Sequence, residues 1–113
     1  MINIKKIKKY SPLTETTFYI LISLLEPLHG YGIMQKVERL SNGRIKLAPG
    51  TLYGALGNLL EAKMIDLEDD RGVKSRKKVY HIEQLGIDMI RFELERLEEM
   101  IENGRRLLDK KGK

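Results

Sequence analysis

Residues 49–63 restrict this chain more than any other stretch of it. Pro49 suits the first position of a helix, where a missing N–H loses nothing. Leu52, Ala55, Leu56, Leu59 and Leu60 then recur at the spacing that gathers them on one face, which predicts a helix to about residue 63. The opposite face holds Thr51, Gly54, Asn58 and Glu61, flanked by Tyr53 and Gly57. A glycine inside a helix costs roughly 1 kcal/mol relative to alanine. A helix that keeps two of them away from its core leaves that side open to close approach, either by another protein element or by a ligand backbone.

The elements around it are short and sharply punctuated. Residues 1–10 are rich in lysine, with Ile2, Ile4 and Ile7 scattered between, and read as a basic arm. Ser11-Pro12 looks like the start of a first helix, with Ser as cap and Pro in the first turn. Leu13, Phe18, Leu21, Ile22, Leu24 and Leu25 give that helix one broad apolar face, and Pro27 stops it. A second helix, about 31–41, carries Ile33, Met34, Val37 and Leu40 on one side. Ser41-Asn42-Gly43 ends it, since Asn and Gly accept a left-handed backbone. Arg44-Ile45-Lys46-Leu47 alternates and reads as a very short strand. After the 49–63 helix come two strands, about 64–68 and 77–82, joined by a polar turn over 69–76. Helical periodicity returns from about 84 to 110.

Helix, helix, Gly/Pro-rich connection, helix, hairpin is the order of a winged helix-turn-helix. The expected fold is mainly α with a small β-hairpin. It divides into the arm 1–10, a DNA-binding domain 11–82, and a C-terminal dimerisation helix with a basic tail, 83–113. Residues 1–82 carry 14 basic and 8 acidic side chains, residues 83–104 carry 2 and 7, and residues 105–113 carry 5 and 1. A basic body fits a polyanion such as double-stranded DNA. In the third helix, Thr51 and Asn58 have the chemistry to read base edges, and the Tyr53 hydroxyl can reach a phosphate. Pro49 and Gly50 open that helix, where free backbone N–H groups favour a phosphate, and Gly54 allows close approach. The hairpin adds Arg71, Lys74, Arg76, Lys77 and Lys78, five cations in eight positions, as phosphate contacts of a wing.

The last helix has a seam of Ile90, Leu94, Leu97, Ile101 and Leu108, and a second line of Leu85, Met89, Phe92, Met100 and Leu107. This stripe is too wide for the small body to cover, so a homodimer is expected. Glu93, Glu95, Glu98, Glu99 and Glu102 read as its solvated side.

Other chemistry finds little support. The chain has no cysteine, which excludes disulfides and thiolate chemistry. His29 and His81 lack partners at metal-ligand spacing, so no metal or other cofactor is expected. The serines lack a nucleophile-elbow setting, and Gly30-Tyr31-Gly32 follows no strand pattern of a dinucleotide loop, so no enzyme activity is expected. The longest apolar run, Phe18 to Leu25, is too short to span a bilayer. No cleavage-site pattern follows the basic start, so the expected location is the cytoplasm. The competing reading is a winged-helix adaptor that binds another protein through its last helix.

Three strings then carry a family likeness: Pro12-Leu13-Thr14-Glu15 with Phe18-Tyr19-Ile20-Leu21, His29-Gly30-Tyr31-Gly32-Ile33, and Pro49-Gly50-Thr51-Leu52-Tyr53-Gly54-Ala55-Leu56. Tyr80 at the end of a Lys/Arg-rich hairpin and Gly86 at the next helix start continue the pattern. Over about residues 10–110 the chain resembles the PadR family of transcriptional regulators, in its small subfamily with a short C-terminal region. The resemblance implies a homodimeric winged-helix factor, usually a repressor, with the third helix as recognition helix. It implies Thr51, Tyr53 and Asn58 as DNA-reading residues, and Tyr31 with the wing cations on phosphates. Some members bind flat aromatic compounds between subunits through a tryptophan. This chain has no Trp, so a small aromatic or apolar effector would have to meet Phe92, Met89 and Met100.

Overall fold

The computed structural model describes residues 2–68 and 78–112. The described elements are α1 (Ile4–Tyr10), α2 (Glu15–Ser23), β1 (Leu28–His29), α3 (Gly30–Leu40), α4 (Pro49–Glu61), β2 (Ile65–Leu67), β3 (Val79–Ile82) and α5 (Gln84–Lys110). This is the expected winged helix-turn-helix followed by one long helix. The hairpin tip, with Arg71, Lys74, Arg76 and Lys77, lies outside the described residues.

Residues 4–10 are not an arm. They form a helix capped by the Asn3 side chain, which accepts a hydrogen bond from the Lys6 N–H. Ile7 is fully buried and anchors α1 in the core, while the lysines around it are exposed or partly so. Ser11 ends this helix rather than opening the next, and the cap of α2 is Thr14, whose hydroxyl accepts from the Thr17 N–H.

Helices α3 and α4 stop in the same way. After α3, the Gly43 N–H donates to the Glu38 carbonyl and the Asn42 N–H to that of Arg39, with Asn42 left-handed at φ 53°. After α4, the Met64 N–H donates to Leu59 and the Lys63 N–H to Leu60, with Lys63 at φ 64°. These paired bonds satisfy carbonyls that the helix end leaves without partners, and Met64 and Leu59 are both buried in the core.

Residues 44–47 are not a strand. The alternation is real in burial, since Leu47 is buried and Arg44 and Lys46 are exposed, but among the described residues no strand pairs with it. The Ile45 N–H donates instead to the Ser41 hydroxyl. The strand that joins the hairpin is β1. The sheet order is β1-β3-β2, with Leu28 opposite Tyr80, His29 opposite Val79, and Ile65 opposite Ile82. The core runs through all layers: Ile7 from α1, Ile20 and Leu21 from α2, Ile33 and Val37 from α3, Leu52 and Leu56 from α4, Met64 and Ile65, and Met89 from α5.

The long helix starts without a side-chain cap, because the Glu83 carboxylate is held 2.6 Å from His81 Nε2. Gly86 sits where any Cβ would strike the Met64 carbonyl and Ile82. That carbonyl accepts the Glu83 N–H at 2.9 Å, so α5 leaves the sheet in tight contact with the end of α4. Its buried residues are Gly86, Met89, Ile90 and Glu93, and every residue from 98 to 110 is exposed. Among the described residues, no helix is long and apolar enough to cross a membrane.

Candidate nucleic-acid interface

On α4, the buried residues Leu52, Leu56 and Leu59 mark the inner face. At 3.6 residues per turn the opposite line is Gly50, Gly54, Gly57 and Glu61. All four are exposed, and nothing lies within 4 Å of where a Cβ would stand on any of the three glycines. The ridge of this helix is therefore bare backbone. Thr51 and Asn58 stand along one edge and Tyr53 along the other, all exposed. Pro49 occupies the first turn, and Ala48 caps it with no side-chain hydrogen bond, so the first N–H groups of the helix face outward.

Asn58 also forms one wall of a cleft of about 220 Å³ with Thr14, Thr17, Ala55 and Leu13, beside the start of α2. Asn58 and the Thr14–Thr17 cap therefore border the same cleft. On the other edge, the Tyr53 hydroxyl lies over Gly30, in the space a Cβ there would take. Burial pushes the Tyr80 hydroxyl above its usual pKa, and the nearby Tyr53 adds to the shift. Helix α4, the start of α3 and the base of the hairpin therefore meet around one tyrosine. This is why a glycine follows His29.

His29 caps α3, with its Nδ1 accepting from the Gly32 N–H at 3.2 Å. Tyr31 projects from that first turn and is 64% exposed. It borders an open groove of about 560 Å³ shared with Met34, Gln35, Arg39 and Lys46. Lys46 and Arg39 escaped the sequence reading. The sequence signal for Lys46 was its place, a cation three residues before Pro49, and the structure leaves it exposed. Two other cations nearby are already engaged. Lys36 pairs with Glu26 at 2.7 Å, and Arg44 pairs with Glu15. Lys78 is exposed at the foot of the hairpin.

The sequence of this fold matches the transcriptional regulator PadR-like family over residues 19–91. The chain belongs to that family. Its fold is shared by a transcriptional regulator from Clostridium thermocellum, at 22% identity and a TM-score of 0.70, over 94% of this chain and 97% of that one. A PadR family transcriptional regulator from Eggerthella lenta superposes at 20% identity and 0.68, over 93% and 87%. Bacillus subtilis PadR, solved in complex with operator DNA, superposes at 22% and 0.62, over 74% of this chain and 48% of that longer one. No curated protein matches the sequence.

The remaining expectations meet the structure unevenly. Ile90 is only 7% exposed and belongs to the chain's own core, so the outward part of the seam is Leu94, Ile101 and Leu108, with Leu97 half-buried beside Leu13 and Phe18. Met89 is sealed in the core while Met100 is 56% exposed, so the two share no common pocket wall. Glu93 does not belong to the solvated side of α5 at all, being 1% exposed. Among the described residues, no group of three or more acidic or histidine side chains is arranged to hold a metal ion.

Proposed function

We propose that this chain is a DNA-binding transcriptional repressor that acts as a homodimer on a palindromic operator. The observation that carries this reading is the bare ridge of α4 between Thr51/Asn58 and Tyr53. A helix entering the major groove needs its polar side chains to reach base edges without bulk holding it off. Gly50, Gly54 and Gly57 remove that bulk, Thr51 and Asn58 read bases, and Pro49 with the open helix start meets a phosphate. Tyr31 and Lys46 flank this face and take the phosphates on its other side. Arg71, Lys74, Arg76, Lys77 and Lys78 track the next groove as a wing. The operator complex of Bacillus subtilis PadR supports DNA as the partner.

The second copy joins through the free half of α5. Leu94 is 45% exposed, Ile101 54% and Leu108 69%, a row of apolar side chains that water disfavours. Two-fold symmetry then sets two recognition helices about 34 Å apart, one DNA turn. A small apolar or aromatic effector would act by changing that separation.

Asn58→Ala and Thr51→Ala test the reading. Each should weaken binding to a selected palindrome by about 1–3 kcal/mol and leave random duplex nearly unaffected. Arg76→Gln should instead weaken both duplexes alike and flatten the slope of log K against log salt by about 1. Equal losses on selected and random DNA for Asn58→Ala and Thr51→Ala would remove base reading from α4. No retardation of any duplex by the wild type would overturn the function and favour a protein partner.

A further inference from the structure

Glu93 is the one acidic side chain among the described residues that is buried outright, at 1% exposure. All of its hydrogen-bonding capacity is used. Oε2 accepts from the Ser11 hydroxyl at 2.6 Å and from Arg96 Nε at 2.9 Å. Oε1 accepts from the Leu13 backbone N–H at 2.7 Å and from an Arg96 Nη at 3.0 Å. Two of these donors lie in the corner between α1 and α2, 80 residues or more away in sequence. A carboxylate so placed locks direction as well as distance, because its four bonds come from donors on two different elements, the α1–α2 corner and α5 itself.

Its position along α5 gives this lock a mechanical sense. Glu93 is the last buried residue of the helix, and residues 98–110 stand clear of the body. The free half of α5 is therefore a lever whose fulcrum is the Glu93 carboxylate. From Glu93 to Leu108 the helix runs about 22 Å at 1.5 Å per residue. A tilt of about 10° at the fulcrum would move Leu108 by about 4 Å, close to one base step of about 3.4 Å.

We propose that Glu93, through Ser11, Leu13 and Arg96, is the positioning residue that fixes the angle between the dimerisation helix and the DNA-reading body. It thereby sets the half-site spacing the dimer accepts. This rests on the DNA-binding dimer proposed above. Glu93 touches no DNA; it acts through the corner that carries α2, and through α2 on α3 and α4. Burying a charge for packing alone would be wasteful, since an apolar residue of similar size fills the same volume at lower cost. A carboxylate is needed where orientation must be held.

The experiment has two arms. The chain has no cysteine, so Glu38→Cys with Glu102→Cys permits one spin-label pair between body and lever, diluted into unlabelled protein. The distance distribution should be narrow, and Glu93→Gln should broaden or displace it by several ångström. In the second arm, binding is measured on a palindrome selected by the wild type, on versions with one base pair added or removed at its centre, and on a single half-site. Glu93→Gln should lose about tenfold on the selected spacing, flatten the preference among spacings, and leave half-site binding unchanged. Ser11→Ala, which deletes one donor and keeps the charge pair, should move both readouts the same way by less, and serves if Glu93→Gln does not fold. An unchanged distance distribution in the variants overturns the proposal whatever the DNA does. A changed distribution with wild-type spacing preference also overturns it. A wild type that prefers no spacing, with the distribution still altered by Glu93→Gln, refutes the dimeric operator reading instead.

Discussion

Replacing Gly54 and Gly57 by alanine should make this protein more stable and a poorer DNA binder. Both glycines lie inside α4, and nothing stands within 4 Å of a Cβ at either. Alanine therefore meets no steric penalty, and each change should gain up to about 1 kcal/mol from helix propensity alone. For a domain of this size that corresponds to a rise in melting temperature of about 4–8 °C per substitution. The new methyl groups would stand on the ridge proposed to face the groove floor, and lifting the helix there lengthens every polar contact made by Thr51 and Asn58. The loss should reach about 1–3 kcal/mol on a selected palindrome, the scale of one good base contact. Gly104→Ala is the control, since Gly104 is also helical and open but stands on the free half of α5. It should stabilise modestly and leave DNA binding alone. Thermal melts and retardation titrations on the same preparations decide the matter. Stabilised variants with wild-type affinity would mean the ridge faces no ligand. A lower melting temperature would refute the inference that the space is open.

Gly86→Ala should destabilise by about 1–3 kcal/mol despite its helical site, because the Met64 carbonyl and Ile82 block the methyl group; chemical denaturation reads this. Lys63→Gly should stabilise by about 1 kcal/mol, since only a side chain is strained by a φ of 64°, and an unchanged denaturation midpoint would contradict it. Ile101→Glu should leave the monomer fold intact and shift sedimentation from dimer to monomer, because the residue is 54% exposed within one chain. Burial alone would push the Glu93 carboxyl up, but hydrogen bonds from Arg96, Ser11 and the Leu13 amide, with the Arg96 charge, hold it below its ordinary value of 4.5. The folded state thus favours the ionised form, so its contribution is complete above that value and is lost as pH falls below it. Glu93→Gln should therefore lose stability at neutral pH and show a shallower decline in acid, as a series of melts would reveal.

Helices α3 and α4 were legible because each has a clear apolar face and a chemical stop. Asn42-Gly43 marked the end of α3 through its left-handed turn, and Pro49 marked the start of α4. What escaped depends on partners distant in sequence. A seven-residue helix dominated by lysine shows too little period to be seen, and only the burial of Ile7 among other elements makes α1 stable. A two-residue strand such as β1 exists only because β3 offers it hydrogen bonds. Residues 44–47 show the converse, an alternating pattern with no strand to pair with. Glu93 was misread by residue type, although its place could have been found. It lies three residues after Ile90 and four after Met89, both in the core, so the helical period put it on the inner face. On α4, the period marked the open side, but not that Asn58 shares a cleft with Thr14 or that the Tyr53 hydroxyl rests over Gly30.

The two-residue strand β1 ties the parts of the molecule together more closely than its length indicates. Leu28 and His29 pair with Tyr80 and Val79 of the hairpin, and His29 is at the same time the cap of α3. One residue therefore belongs both to the sheet that carries the wing and to the first turn of the helix-turn-helix. Pulling the hairpin away would uncap α3, and unwinding the start of α3 would strip an edge from the hairpin. The amides on both sides should exchange with solvent as a single cooperative unit rather than as a mobile flap beside a rigid body. It follows that a wing grafted from another regulator is not a modular part. Unless the graft carries its own register against Leu28 and His29, the exchange alters the helix it was meant to leave alone.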